Sequence, residues 1–140
     1  MLRSIVVGTL LLLALCGPAA AACPPLLDHR VTTLQGQTID LCAYSDRPIL
    51  VVNTASKCGY TPQFEKLEAL HRQYGKRGLV VLGFPSNDFR QELSTNAEIA
   101  HFCKLTYRVD FPMVEQRSVS GPQAHPFFRR LSAAAGASPR

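Results

Sequence analysis

An α/β fold, a β-hairpin followed by a βαβαβ core, is predicted for this chain by three observations. Ile49-Leu50-Val51-Val52-Asn53-Thr54 is a near-continuous β-branched run, the mark of a strand buried on both faces of a sheet. Leu79-Val80-Val81-Leu82-Gly83-Phe84 reads as a second buried strand. Between them Phe64, Leu67, His71 and Tyr74 recur at helical spacing. Strand, helix and strand in that order give a right-handed crossover with parallel pairing.

The remaining elements follow in chain order. Residues 30–39 combine alternating and turn-like character, which predicts the hairpin. Thr61 is placed to cap the first helix, with Pro62 at its first position, where the missing N–H costs nothing. Gly78 ends that helix after the basic Lys76 and Arg77. Thr95-Asn96-Ala97-Glu98 fits a capping box and opens a second helix with Ile99, Phe102, Cys103 and Thr106 on one side. A short strand is expected at 111–114, a helical turn led by Pro126 follows, and 133–140 reads as loop.

The chain has 140 residues and 46% hydrophobic composition, enough for one domain. Residues 1–22 read as an export signal: Arg3 is the positive start, 5–15 the apolar stretch, and Ala19-Ala20-Ala21-Ala22 a small-residue cleavage site. The apolar run is shorter than the roughly 20 residues that span a bilayer, so no membrane anchor is expected. The predicted organisation is a signal peptide at 1–22 and one domain at 23–140, exported and in a bacterial cell periplasmic. Removing Arg3 lowers the formal charge from +5 to +4, 14 basic against 10 acidic residues. Basic residues are scattered without a dense run or interleaved aromatics, which gives a nucleic-acid role no support.

Cys16 falls in the signal, leaving Cys23, Cys42, Cys58 and Cys103 in a compartment that permits disulfides. Cys23 and Cys42 flank the predicted hairpin, so their pairing is expected, closing a loop of roughly 20 residues for about 3 kcal/mol. No Cys-x-x-Cys or His-x-x-x-His pair supports a metal site.

Cys58 is the candidate nucleophile. It lies in a strand-to-helix loop between Lys57 and Gly59, where α/β proteins place their sites. A helix N-terminus or an adjacent cation can lower a thiol from about 8.5 to roughly 3.5–7.5, and a thiolate attacks a peroxide oxygen to give a sulfenic acid. Gly59 allows a tight turn and an open approach. The competing reading, a buried cysteine acting as a small hydrophobe, fits poorly with Ser56, Lys57 and Gly59 around it.

Asn53-Thr54-Ala55-Ser56-Lys57-Cys58-Gly59-Tyr60-Thr61-Pro62-Gln63 resembles the active-site signature of the glutathione peroxidase family. Gly83-Phe84-Pro85-Ser86-Asn87-Asp88-Phe89 with Gln91-Glu92, and Glu98-Ile99-Ala100-His101-Phe102-Cys103 with Tyr107, are similar to further family blocks. The resemblance runs over residues 23–140. It implies a thioredoxin-like fold and thiol-dependent reduction of hydrogen peroxide or organic hydroperoxides, with no cofactor. The reductant would be a thioredoxin-like protein or glutathione, and export away from the cytosolic glutathione pool favours the former. It makes Cys58 the peroxidatic residue and Gln91 the glutamine beside its sulfur, with Lys57 and Gly59 supporting. Cys103 becomes the candidate resolving thiol, against the alternative that it is packed on the apolar side of its helix. Ser86 stands where many relatives carry another cysteine.

The family continues with a Trp-Asn-Phe segment, two strands and a closing helix, whereas these 140 residues contain no Trp. The expectation is a C-terminally truncated domain, of low stability and weak activity if that is the whole product. A peroxide-sensing relay and an inactive fragment are the alternative functions.

Overall fold

A computed structural model describes residues 22–139. The predicted signal peptide lies outside the described residues, apart from Ala22. Among the described residues no helix is long and apolar enough to cross a membrane.

The hairpin pairs β1 (Arg30–Thr32) with β2 (Thr38–Asp40) antiparallel, Val31 opposite Ile39. Gly36 makes the turn at φ +80°, a conformation that favours glycine. A disulfide joins Cys23 to Cys42, their Cα atoms 5.3 Å apart. Asp40 then caps a 3₁₀ turn at Leu41–Tyr44 by accepting the Cys42 amide hydrogen.

β3 (Ile49–Thr54) and β4 (Val80–Pro85) pair in parallel from Ile49 opposite Val80 to Thr54 opposite Pro85. Between them run α1 (Gln63–Tyr74) and a 3₁₀ turn, Gly75–Arg77, which Gly78 closes at φ +107°. All of β4 is buried, but Ile49 to Asn53 are only half-buried, which corrects the expectation of two buried strands. β4 has a neighbour on each side, β3 and the bridge at Met113, whereas β3 pairs on one side only among the described residues.

The strand expected at 111–114 is reduced to single bridges, Met113 with Gly83 and Val114 with Thr33. These bridges join the hairpin to the parallel pair. Gly83 is required at this crossing, because a Cβ there would stand 2.3 Å from Met113 Sδ and 3.2 Å from the Phe111 ring.

α2 (Asn96–Tyr107) starts at the predicted capping box, with Thr95 and Glu98 each satisfying the other's backbone amide. α3 (Pro126–Ala135) is longer than the predicted turn and takes in Ala133 to Ala135. Alanine is the best helix former, and Gly136 supplies the left-handed stop at φ +64°.

Side chains alternate along β4 between two cores. Leu82 and Phe84 join Val31, Leu41, Phe127 and Phe128 on the face covered by the hairpin and α3. Val81 joins Phe64, Ile99, Cys103 and Phe111 on the face covered by α1 and α2.

Candidate active site

The site is built on the loop from the end of β3 to α1. Thr54 O accepts the Ser86 amide hydrogen at 3.1 Å, fixing the loop's start against the end of β4. The buried Thr61 then shapes the turn. Its hydroxyl donates to Ala55 O at 2.9 Å and accepts from the Cys58 amide at 2.9 Å. The expected helix cap is therefore corrected. Pro62 occupies the N-cap position without a side-chain bond, because the Thr61 hydroxyl is already engaged across the turn.

That turn leaves Cys58 half-exposed, with Sγ accepting the Tyr60 amide hydrogen at 3.4 Å. Lys57, Gly59 and Tyr60 are exposed, Tyr60 at 74% of its surface, and no Cβ at Gly59 would meet anything within 4 Å. Approach to the sulfur is open from that side.

Cys58 and Gln91 line one cavity of about 610 Å³, whose apolar wall includes Val52, Phe64, Leu67 and Phe89. The backbone brings the two residues together, since Lys57 N–H donates to Gln91 O at 2.8 Å. Gln91 sits in a knotted turn: the Asp88 amide donates to Ser86 Oγ, the Glu92 amide to Asn87 Oδ1, and Arg90 adopts φ +58°. Asp88 ties this turn to the next loop by accepting the amide hydrogens of Val119 and Ser120 at 2.8 and 2.9 Å and both serine hydroxyls, Ser118 and Ser120. Desolvation pushes its carboxyl up, but these donors outweigh that and hold it below the ordinary value.

Cys103 stands apart from Cys58. It is 2% exposed in the core under α2 and borders a second cavity of about 360 Å³ beside the hairpin turn. Both cysteines are free thiols. Burial, and then the charge of Glu92, push the Cys103 thiol up to about 12, so it is a poor nucleophile while α2 stays closed. Cys23, Cys42 and Asp28 cluster within 4.8 Å, but the two sulfurs are bonded to each other and are not thiolate donors for a metal.

Residues 26–132 match the family described as glutathione peroxidase. This chain belongs to the glutathione peroxidase family. It is 47% identical over 102 residues to the hydroperoxy fatty acid reductase gpx1 of Synechocystis sp., covering 72% of this chain and 60% of that protein. It is 45% identical over 105 residues to a glutathione peroxidase of Lactococcus lactis, covering 74% of this chain and 67% of the relative. The chain therefore spans about two thirds or less of the length of these relatives. Among solved structures, T. cruzi GPX1 superposes with a TM-score of 0.59 at 29% identity, covering 77% of this chain and 65% of that one. A thiol:disulfide interchange protein of the thioredoxin family from Chlorobium tepidum superposes at 0.62 with 14% identity, over 87% and 76% of the two chains. The last comparison speaks to the fold alone, which is thioredoxin-like as expected.

Thr61, Asp88 and Glu92 are the site residues that sequence reading missed. Thr61 was assigned to a helix cap. Asp88 and Glu92 stand in the blocks that resemble the family but carry no assigned role there, and the local signal for Asp88 is the density of Ser, Asn and Asp between 86 and 88, which marks side-chain to backbone bonding.

Proposed function

We propose that this protein is an exported, thiol-dependent peroxidase in which Cys58 is the peroxidatic residue. The observation that carries the reading is a half-exposed thiol accepting a backbone amide hydrogen in a cavity it shares with Gln91. The Cys58 thiolate attacks one oxygen of ROOH, the S–O bond forms as the O–O bond breaks, and RO⁻ leaves to be protonated to ROH. An amide such as that of Gln91 stabilises the departing charge by position, without a proton transfer of its own. The sulfenic acid then reacts with a thiol, releasing water and leaving a disulfide, and a second thiol restores Cys58.

The apolar wall at Phe64, Leu67 and Phe89 suits a hydroperoxide with a hydrocarbon tail, in keeping with the name of the Synechocystis relative. The reductant is a dithiol protein of thioredoxin type, because export separates the chain from cytosolic glutathione. Cys103 is the resolving thiol. Its burial in the core requires α2 to open at its C-terminal half before the sulfurs meet.

The test is peroxide consumption by purified protein with a thioredoxin-like donor. Cys58→Ser should reduce the rate to background, and turnover surviving that change would refute the assignment. Peptide mapping after one equivalent of hydroperoxide should find a Cys58–Cys103 bridge. Oxidised Cys58 bound elsewhere, or left as sulfenic acid, would refute the resolving role while leaving the peroxidatic one intact.

A further inference from the structure

Glu92 is 6% exposed, an unusual place for a carboxylate. One oxygen accepts the amide hydrogens of Ser56 at 3.0 Å and Leu93 at 2.8 Å. The other oxygen is buried and, among the described residues, has no hydrogen-bond partner. The Ser56 bond reaches across 36 positions of sequence to a residue two before Cys58. Its neighbour bond runs in parallel, Lys57 N–H to Gln91 O at 2.8 Å. Two consecutive amides ahead of the nucleophile are thus held on two consecutive residues, of which one is Gln91.

We infer that Glu92 is a positioning residue for the peroxidatic step, its buried carboxylate clamping the Cys58 turn to the segment that presents Gln91. A buried charge with an unsatisfied oxygen is expensive to keep, and the hydrogen bonds it makes are confined to the two segments whose separation sets the distance from Cys58 to Gln91. Leu93, next in the chain, packs into the core that holds Phe64 and Cys103, which anchors the clamp below the site. The inference rests on the peroxidatic role of Cys58 proposed above.

Glu92→Gln keeps an acceptor for the Ser56 amide and removes the charge; Glu92→Asp keeps the charge and withdraws it by one methylene. The readout is the rate constant for Cys58 oxidation by hydrogen peroxide in a single turnover, with far-UV circular dichroism confirming that each variant is folded. The expected result is oxidation within about threefold of wild type for Glu92→Gln and about 100-fold slower for Glu92→Asp, the loss that a misplacement on the order of 1 Å produces. Adding Gln91→Ala should slow the wild type and leave Glu92→Asp unchanged, because the two residues act on one distance. Wild-type rates in both Glu92 variants would overturn the clamp, as would a loss in Glu92→Gln with none in Glu92→Asp, which would assign the effect to charge. Independent, additive losses from Gln91→Ala and Glu92→Asp would overturn it too. Failure of wild-type Cys58 to be oxidised at all would instead overturn the peroxidase reading.

Discussion

Replacing Thr61 by valine keeps the side chain's volume and removes both bonds that shape the Cys58 turn, leaving Ala55 O and the Cys58 amide without their partner. An unsatisfied buried polar group costs about 1–3 kcal/mol. Thr61→Val should therefore lower the unfolding free energy by that order and slow Cys58 oxidation about tenfold or more. Thr61→Ser, which retains the hydroxyl, should recover most of the rate. A wild-type rate in the valine variant, measured by stopped-flow oxidation, would remove Thr61 from the site. Gly83 is constrained by crowding in the same way. A methyl there collides with Met113 and Phe111 between the paired segments, so Gly83→Ala should cost about 1–3 kcal/mol in a denaturant titration. At this scale the sequence was informative where chemistry is local. Cys58 stood out because a thiol among Lys57 and Gly59 in a strand-to-helix loop has few structural uses. Glu92 did not, because its contacts depend on bringing residue 56 against residue 92, which no local pattern encodes.

Elements were legible in proportion to how far their signals were local. α2 was readable because its capping box is contained in four consecutive residues. The limits of β3 were readable too, but its burial was not, since burial depends on which strands stand beside it. The apolar composition of 111–114 could not show that Phe111 and Met113 would be spent on the core, leaving only single bridges at Met113 and Val114. The helix α3 carries a pH dependence of its own. His125 caps it with Nδ1 accepting the Phe127 amide hydrogen, which only an unprotonated nitrogen can do. Burial, then the neighbouring charges of His29, Arg117 and Arg129, lower its pKa against the opposing Glu115. The His29 ring lies 6.3 Å away, centroid to centroid, and is itself lowered by burial and by Arg130, against Asp28. Because both groups bind protons more weakly folded than unfolded, their contribution is complete above the unfolded value of about 6.5 and is lost as pH falls through the folded values. The melting temperature should decline from pH 7 to pH 5. His125→Asn, which caps without titrating, together with His29→Gln should flatten that decline, and an unchanged slope would show that the pair is not its source. Asp88 acts in a separate window, since its depressed carboxyl supports stability above the ordinary value near 3.8 and loses that support only in stronger acid.

Over the whole molecule, the two cores divide the labour. The face of β4 under α1 and α2 carries Phe64 and Leu93, which support the walls of the Cys58 site, while the face under the hairpin and α3 carries none of the residues lining that cavity. The Cys23–Cys42 bond belongs to the second face, where it ties the segment before β1 to the 3₁₀ turn after β2 across a separation of 19 residues. Closing a loop of that size stabilises by about 3 kcal/mol through the unfolded chain. Replacing both cysteines by serine should therefore lower the unfolding free energy by about 3 kcal/mol, read from guanidinium titration, and leave the rate of Cys58 oxidation in the folded protein within about twofold of wild type. The two readouts separate because a constraint on the unfolded state does not alter native geometry. The same reasoning makes the outcome depend on the reductant. A strong small dithiol in excess, able to reduce both the oxidised Cys58 and the structural bond, should turn the wild type into the variant's equal in stability. A protein dithiol that reaches only the exposed Cys58 turn should leave the two apart. A fall in oxidation rate matching the fall in stability would instead show that the hairpin face and the site are coupled, and that the division between the two cores does not insulate one from the other.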